Sequence, residues 1–144
     1  MINSPDFPRL NAHNHQITSP PSPDYNCIAW AAGDAKNWWQ PGVFWPVPES
    51  PDAGGIPALE KAFRSVGYDV CTNALMEPGF EKIALYGSPA WYTHAARQLS
   101  NGKWTSKLGG EADIEHDAPE HVGGGIYGEV AVFMRRPLAG GRGA

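Results

Sequence analysis

Glycine and proline do most to limit what this chain can fold into, because neither residue favours the interior of a helix or a strand. Seventeen glycines and fourteen prolines are spread over 144 residues, which predicts long irregular connections. The apolar fraction of 42% is nevertheless that of a folded protein, and the length is that of one ordinary domain. We therefore predict a single globular domain with short elements and much loop.

Charge and hydropathy exclude several classes of function. The net charge is −4, and the Lys and Arg residues form no cluster that would neutralise a row of phosphates, so we expect no nucleic-acid partner. Every uncharged stretch is far shorter than the roughly 20 apolar residues that span a bilayer. The first residues also lack a basic segment followed by an apolar one. We therefore expect a cytoplasmic protein that does not enter a membrane.

The residue pattern divides the chain into an arm, a domain and a tail. Residues 1–24 are rich in proline and predict an irregular arm, residues 25–136 form the domain, and residues 137–144 predict a flexible tail. Helices are predicted from Cys27 onwards and over residues 57–66, where apolar residues follow a helical spacing. Alternating patterns then predict strands over residues 68–71, 82–86, 92–99, 103–108 and 127–134. We expect an α+β fold, with N-terminal helices packed on an antiparallel sheet of about five strands.

Cys27 is the first candidate for chemistry. It falls in the first turn of a predicted helix, where unpaired backbone N–H groups and the helix dipole stabilise a thiolate. His94 is the candidate base, on a predicted strand that places His94, Ala96 and Gln98 on one face. The alternative is that Cys27 is a small buried apolar residue, as free cysteines often are. Cys71 ends a predicted strand, and we interpret it as a packed thiol.

No cofactor is expected. Two cysteines without a CxxC pair are too few for a thiolate zinc site or a disulfide framework. The histidine pairs His13/His15 and His116/His121 lie in segments without fixed geometry, so we expect no metal.

An aromatic loop over residues 38–55 follows the first predicted helix. It has neither helical nor strand periodicity, and Trp38, Trp39, Phe44 and Trp45 lie within eight residues of one another. These rings either cover the helix and build core or, as a second interpretation, form the walls of a substrate groove. Both interpretations are left open.

Several segments resemble known families. The run YNCIAWAAG at residues 25–33 resembles the nucleophile helix of papain-like cysteine peptidases and amidases, in particular their compact bacterial cell-wall hydrolase branch. The runs KIALY (82–86), THAARQL (93–99), GKWTSKLG (102–109) and IEH (114–116) resemble an uncharacterised bacterial family, a domain of unknown function. The resemblance covers residues 25 to about 136 and implies a papain-like fold with Cys27 as nucleophile and His94 as base.

The third residue of such a site is not obvious. Papain-like enzymes orient the histidine with a polar side chain after it. A two-residue turn at Asn101–Gly102 would place His94 opposite Gly109, which has no side chain, with Lys107 and Glu111 as diagonal neighbours. A register shifted by one residue would bring Ser106 or Gly110 alongside instead. We predict Asp113 as the orienting residue, with Ser106 and His116 as alternatives.

The resemblance also implies an oxyanion hole, formed by the backbone N–H of Cys27 and an upstream side chain, either Asn26 or Gln16. The site so described predicts a thiol hydrolase, amidase or acyl transferase acting on a peptide, an isopeptide or a side-chain amide, with Trp38, Trp39 and Trp45 beside the substrate. The alternative is a non-catalytic peptide- or protein-binding module on the same fold, or a component of a toxin and immunity system. No oligomeric state is predicted.

Overall fold

A seven-stranded antiparallel sheet organises the chain in the computed structural model, which describes residues 2–49, 51, 53–108 and 112–138. Within these ranges the sheet order is β1-β6-β5-β4-β3-β7-β2. Two short α-helices and one 3-10 helix accompany it, and none of the helices in the described ranges is long and apolar enough to cross a bilayer. The strands are β1 (His15–Ser19), β2 (Asp69–Cys71), β3 (Phe80–Ser88), β4 (Trp91–Gln98), β5 (Trp104–Lys107), β6 (Asp113–His116) and β7 (Val130–Pro137); the helices are α1 (Cys27–Ala31), α2 (Ile56–Arg64) and the 3-10 helix Pro119–Val122.

The predicted α+β, papain-like arrangement of N-terminal helices on about five strands is wrong. The five predicted strands are present with shifted ends, but β1 and β6 add two more, and the helices account for only a small part of the chain. Strand β1 lies inside the predicted irregular arm and pairs with β6, so the arm contributes an edge of the sheet. Residues 139–144 of the predicted tail lie outside the described residues.

The hairpin of β3 and β4 contains a β-bulge that sets which side chains face which way. Tyr86 pairs with His94 whereas Gly87 pairs with Tyr92, so Thr93 is an extra residue on β4. Gly87 has φ +131°, and a Cβ at this position would overlap the backbone oxygen of Trp91. Glycine is therefore required where the two strands meet at the bulge.

The two faces of the sheet carry separate apolar clusters. We call the side covered by α1, α2 and the aromatic loop the helix face; Cys27, Phe63, Leu85 and Ala95 pack there. We call the other side the loop face, because the N-terminal segment and the chain around residues 119–128 cover it; its core includes Phe7, Tyr86, Ala96, Val122 and Tyr127. Successive residues of a strand point to opposite faces, so Ala95 and Ala96 belong to different clusters.

The turn between β4 and β5 sets the register of the site candidates. Gln98 pairs with Trp104, and the Leu99 N–H donates to the Lys103 carbonyl at 2.7 Å, which leaves a three-residue turn over residues 100–102. Gly102 has φ +85°, as such a turn requires. The register is therefore shifted by one residue from the pairing of His94 with Gly109, and Gly109 itself lies outside the described residues.

Candidate functional site

Asn26 connects the start of α1 to the aromatic loop. Its side-chain oxygen accepts hydrogen bonds from the backbone N–H groups of Ala29 and Trp39, both at 3.1 Å, and its amide nitrogen donates to the Trp39 carbonyl at 2.8 Å. The first of these bonds is a helix N-cap, which satisfies an otherwise unpaired N–H. Asn26 is thus occupied by structural hydrogen bonds and holds Trp39 beside the helix.

Cys27 is nearly buried on the helix face, with 8% of its surface exposed. Burial raises the pKa of its thiol to about 11, and nearby backbone N–H groups, among them that of Ala95, offset only part of this effect. The helix that begins at Cys27 has only five residues. Its thiol is therefore neutral at physiological pH, which is opposite to what nucleophilic catalysis requires.

His94 lies on the loop face. Its ring stacks on Tyr127 with centroids 4.0 Å apart and meets the edge of Tyr86 at 5.1 Å. Burial, followed by the proximity of His116, holds the pKa of His94 well below its usual value. Because Cys27 packs on the helix face and His94 on the loop face, the structure does not bring the predicted nucleophile and base together.

His94 instead belongs to a buried polar chain, which we call the histidine–serine network: His94, Ser106 and His116. The Ser106 hydroxyl lies 2.9 Å from His94 Nε2 and 2.8 Å from His116 Nε2. His116 Nδ1 lies 2.8 Å from the Ala118 carbonyl and must donate to it, so its Nε2 accepts from Ser106 and Ser106 accepts from His94. His94 Nδ1 is left buried without a hydrogen-bond partner.

The network includes both alternative orienting residues and excludes Asp113. It links β4, β5 and β6 across the loop face, and all three side chains are buried. The shifted hairpin register is what brings Ser106 beside His94. The arrangement connects three strands by hydrogen bonds, and neither cysteine belongs to it.

The Asp113 side chain forms its hydrogen bonds on the helix face of the sheet. Its Oδ2 accepts hydrogen bonds from the Ser19 and Tyr25 hydroxyls, both at 2.7 Å, and it pairs in register with Lys107. Burial, followed by the bond to Asp113, raises the pKa of Tyr25 to about 12. Asp113 therefore anchors the segment that leads into α1, and the structure does not place it beside His94.

Gln16 lies on β1, at the edge of the sheet and three strands from β4. Its amide reaches Glu115 at 3.5 Å on the exposed surface. The structure thus does not place Gln16 at the start of α1, and an oxyanion role for it has no geometric support.

An open depression of about 360 Å³, which we call the aromatic groove, lies at the start of α1. Residues 26–28, 38–40 and 91–93 line it together with Gly54. The structure thus brings Cys27, Trp38 and Trp39 to one surface. Trp45 lies outside the lining and stacks on Tyr92, with ring centroids 6.1 Å apart.

Trp91 and Tyr92 are the aromatic lining residues that sequence reasoning did not select. Trp91 is 70% exposed, which is unusual for a large apolar side chain. The only signal in the sequence is that two aromatic residues are adjacent, and of these the predicted strand over residues 92–99 includes only Tyr92. None of the lining residues carries a formal charge, and Trp38 Nε1 donates to the Gln40 side chain at 3.0 Å. The groove therefore suits a neutral apolar or aromatic group.

The described residues contain no group of three or more His, Cys, Asp or Glu side chains that could hold a metal ion. Comparison with curated proteins and with solved structures found no significant match. A family model described as a domain of unknown function, DUF7689, matches residues 16–135, which is most of the chain. The protein therefore belongs to the DUF7689 family.

Proposed function

We propose that this domain is a non-catalytic binding module whose aromatic groove receives an uncharged apolar or aromatic segment of a partner peptide or protein. The observation that carries the proposal is the exposed Trp91 at the edge of an uncharged groove. Tryptophan side chains of this kind contribute strongly when a partner removes them from water.

The apolar surface extends beyond the groove. Phe44 packs on Trp39 with ring centroids 5.9 Å apart and is itself 39% exposed, and the neighbouring Val43 is also exposed. Because Trp39 lines the groove, these side chains continue its aromatic wall towards solvent. Contiguous exposed apolar surface of this kind is typical of interaction sites.

The groove is also held in shape before any partner arrives. Asn26 fixes Trp39 through two hydrogen bonds, and the Tyr92 N–H donates to the Gly54 carbonyl at 2.9 Å. The stacking of Trp45 on Tyr92 supports the same wall. A groove that is already ordered loses little conformational entropy on binding, which favours affinity.

The chemistry of Cys27 supports binding over catalysis. A thiol hydrolase needs a thiolate and a base within hydrogen-bond reach. Here burial raises the pKa of Cys27, and His94 packs on the other face of the sheet. Cys27 is therefore assigned to the wall of the groove as an apolar side chain.

The proposal is tested with a library of displayed random peptides, selected on the immobilised full chain, followed by calorimetric titration of the enriched peptides. We expect enrichment of uncharged peptides rich in aromatic, aliphatic or proline residues. Trp91→Ala should weaken their binding at least tenfold, because it removes the largest exposed wall of the groove.

Ile126→Ala is the matched control, since Ile126 is also an exposed apolar residue but lies outside the groove lining. It should bind the enriched peptides with unchanged affinity. Equal affinities of the wild type and Trp91→Ala would overturn the proposal, as would a library that yields no enriched peptide. Covalent labelling of Cys27 by acyl electrophiles at neutral pH would instead favour an enzyme.

A further inference from the structure

A second cavity, of about 300 Å³, lies at the other end of β4 from the aromatic groove. Residues 76–81 and 97–100 line it together with Leu138. Residues 91–93, at the start of β4, line the aromatic groove, whereas residues 97–100, at its end, line this cavity. The two sites are therefore separated by the length of the strand. We call this second site the Arg97 cavity.

Much of the wall of the Arg97 cavity is apolar. Met76, Pro78, Phe80, Leu99 and Leu138 contribute to it. Its volume corresponds to roughly ten non-hydrogen atoms, taking about 30 Å³ for each water-sized group. The cavity is thus large enough for a small molecule and too small for a folded partner.

The two acidic residues of the cavity are already neutralised. Glu77 forms ion pairs with Lys82, at 3.5 Å, and with Arg135. Glu81 is paired with Arg136. Neither carboxylate therefore needs a cation from a ligand, and neither is paired with Arg97.

Arg97 is the charged residue of the cavity lining that takes part in none of these ion pairs. Within the described ranges no salt bridge includes it, and its buried Nε has no hydrogen-bond partner. Its guanidinium lies over the Trp30 ring, 5.6 Å from the centroid. Because Arg97 lines the cavity without an ionic partner there, its planar guanidinium, which matches the two oxygens of a carboxylate, is the cavity's group suited to an anion.

We propose that the Arg97 cavity binds a small organic carboxylate with an apolar body. The guanidinium of Arg97 donates hydrogen bonds to the carboxylate oxygens, and the body of the molecule packs against the side chains of Met76, Phe80 and Leu99. The site is independent of the aromatic groove and of the function proposed for it.

The test is a titration of the ¹⁵N-labelled full chain with octanoate, followed by NMR through the arginine Nε–H and tryptophan Nε1–H signals. Octanoate has about ten non-hydrogen atoms and so fits the volume. It should shift the Nε–H signal of Arg97 and the indole signal of Trp30. Octanamide, of the same shape but without charge, should bind about tenfold more weakly.

Two variants locate the binding. Arg97→Gln removes the charge and should weaken octanoate binding about tenfold or more. Met76→Glu places a negative charge on a side chain that lines the cavity and is 48% exposed, so the fold tolerates it while octanoate binding falls. Leu75→Glu is the matched control, because Leu75 is 71% exposed and outside the lining, and it should bind octanoate as the wild type does.

A further variant distinguishes octanoate binding in the Arg97 cavity from binding in the aromatic groove. Trp91→Ala should leave the affinity for octanoate unchanged, whatever it does to peptide binding. Equal binding of octanoate and octanamide would overturn the proposal. Unchanged octanoate affinity in Met76→Glu would overturn it as well, and this variant decides the matter if Arg97→Gln does not fold.

Discussion

Cys27 and His94 show how strongly side-chain chemistry depends on the face of a sheet. The strand pattern correctly places His94, Ala96 and Gln98 on one face of β4. It does not indicate which face α1 covers, because Ala95 and Ala96 are equally apolar and either could contact a helix. In the structure Ala95 contacts the helix cluster, so the imidazole points away from the thiol. Cysteine and histidine are residue types suited to nucleophilic catalysis, but Cys27 and His94 lie on opposite faces of the sheet.

We expect Cys71 to react with iodoacetamide faster than Cys27 does. A catalytic Cys27 would show the opposite order. Iodoacetamide reacts with the thiolate, and burial both shields Cys27 and raises its pKa to about 11. Cys71 is partly exposed. We expect Cys71 to be carbamidomethylated first near neutral pH, with Cys27 largely unmodified until the chain is unfolded in urea. Peptide mass spectrometry over time measures both rates, and faster labelling of Cys27 in the folded protein would contradict this assignment.

At the scale of elements, the sequence indicates the strands that alternate and misses those that do not. Strands β3 and β4 follow apolar patterns and were predicted. Strand β6 was not, because its buried Asp113 and His116 resemble a solvated loop until their hydrogen-bond partners are known. Strand β1 pairs with β6 and was missed with it. Polar networks between distant segments therefore define this side of the sheet, and local patterning does not reveal them.

The candidate site was predictable to a similar degree. The tryptophans after α1 were recognised as possible walls of a groove, and Trp38 and Trp39 do line it. Trp91 was not recognised, because it is the first residue of β4 and lies just before the predicted strand over residues 92–99. The register of the β4–β5 hairpin depends on one turn residue, which composition alone did not specify.

Asn26 should be the residue on which α1 and the aromatic loop depend together. Asn26→Ala removes the helix cap and both hydrogen bonds to Trp39, so we expect the free energy of unfolding to fall by about 2 to 3 kcal/mol. Urea unfolding followed by circular dichroism measures the change. Asn3→Ala, at an exposed position, is the control and should change the stability little. A loss for Asn26→Ala no larger than that of the control would show that the cap is dispensable.

At the scale of the whole molecule, the two faces of the sheet carry different features, a groove on one face and a buried polar network on the other. The helix face leads to an uncharged groove, whereas the loop face buries the histidine–serine network between strands. The network fixes both imidazoles as neutral groups, because His116 must accept from Ser106 and neither ring reaches water. The stability of the entire sheet is therefore linked to the protonation of two histidines.

The direction of this linkage follows from the pKa values. Burial lowers the pKa of His116 to about 4 and holds that of His94 well below its usual value, whereas both are near 6.5 in the unfolded chain. Below pH 6.5 the unfolded state binds more protons than the folded state. The stabilisation is therefore fully present above about pH 6.5 and is lost progressively as the pH falls towards about 4.

Lowering the pH from about 7.5 to about 5.5 should reduce the free energy of unfolding by about 3 kcal/mol, roughly half from each histidine. Urea unfolding at the two pH values measures this loss. His116→Gln removes one of the two titrating groups and should lose only about half as much over the same range. His13→Gln changes an exposed histidine and should behave as the wild type does. Equal stability of the wild type at both pH values would mean that the buried imidazoles do not remain neutral in the folded protein.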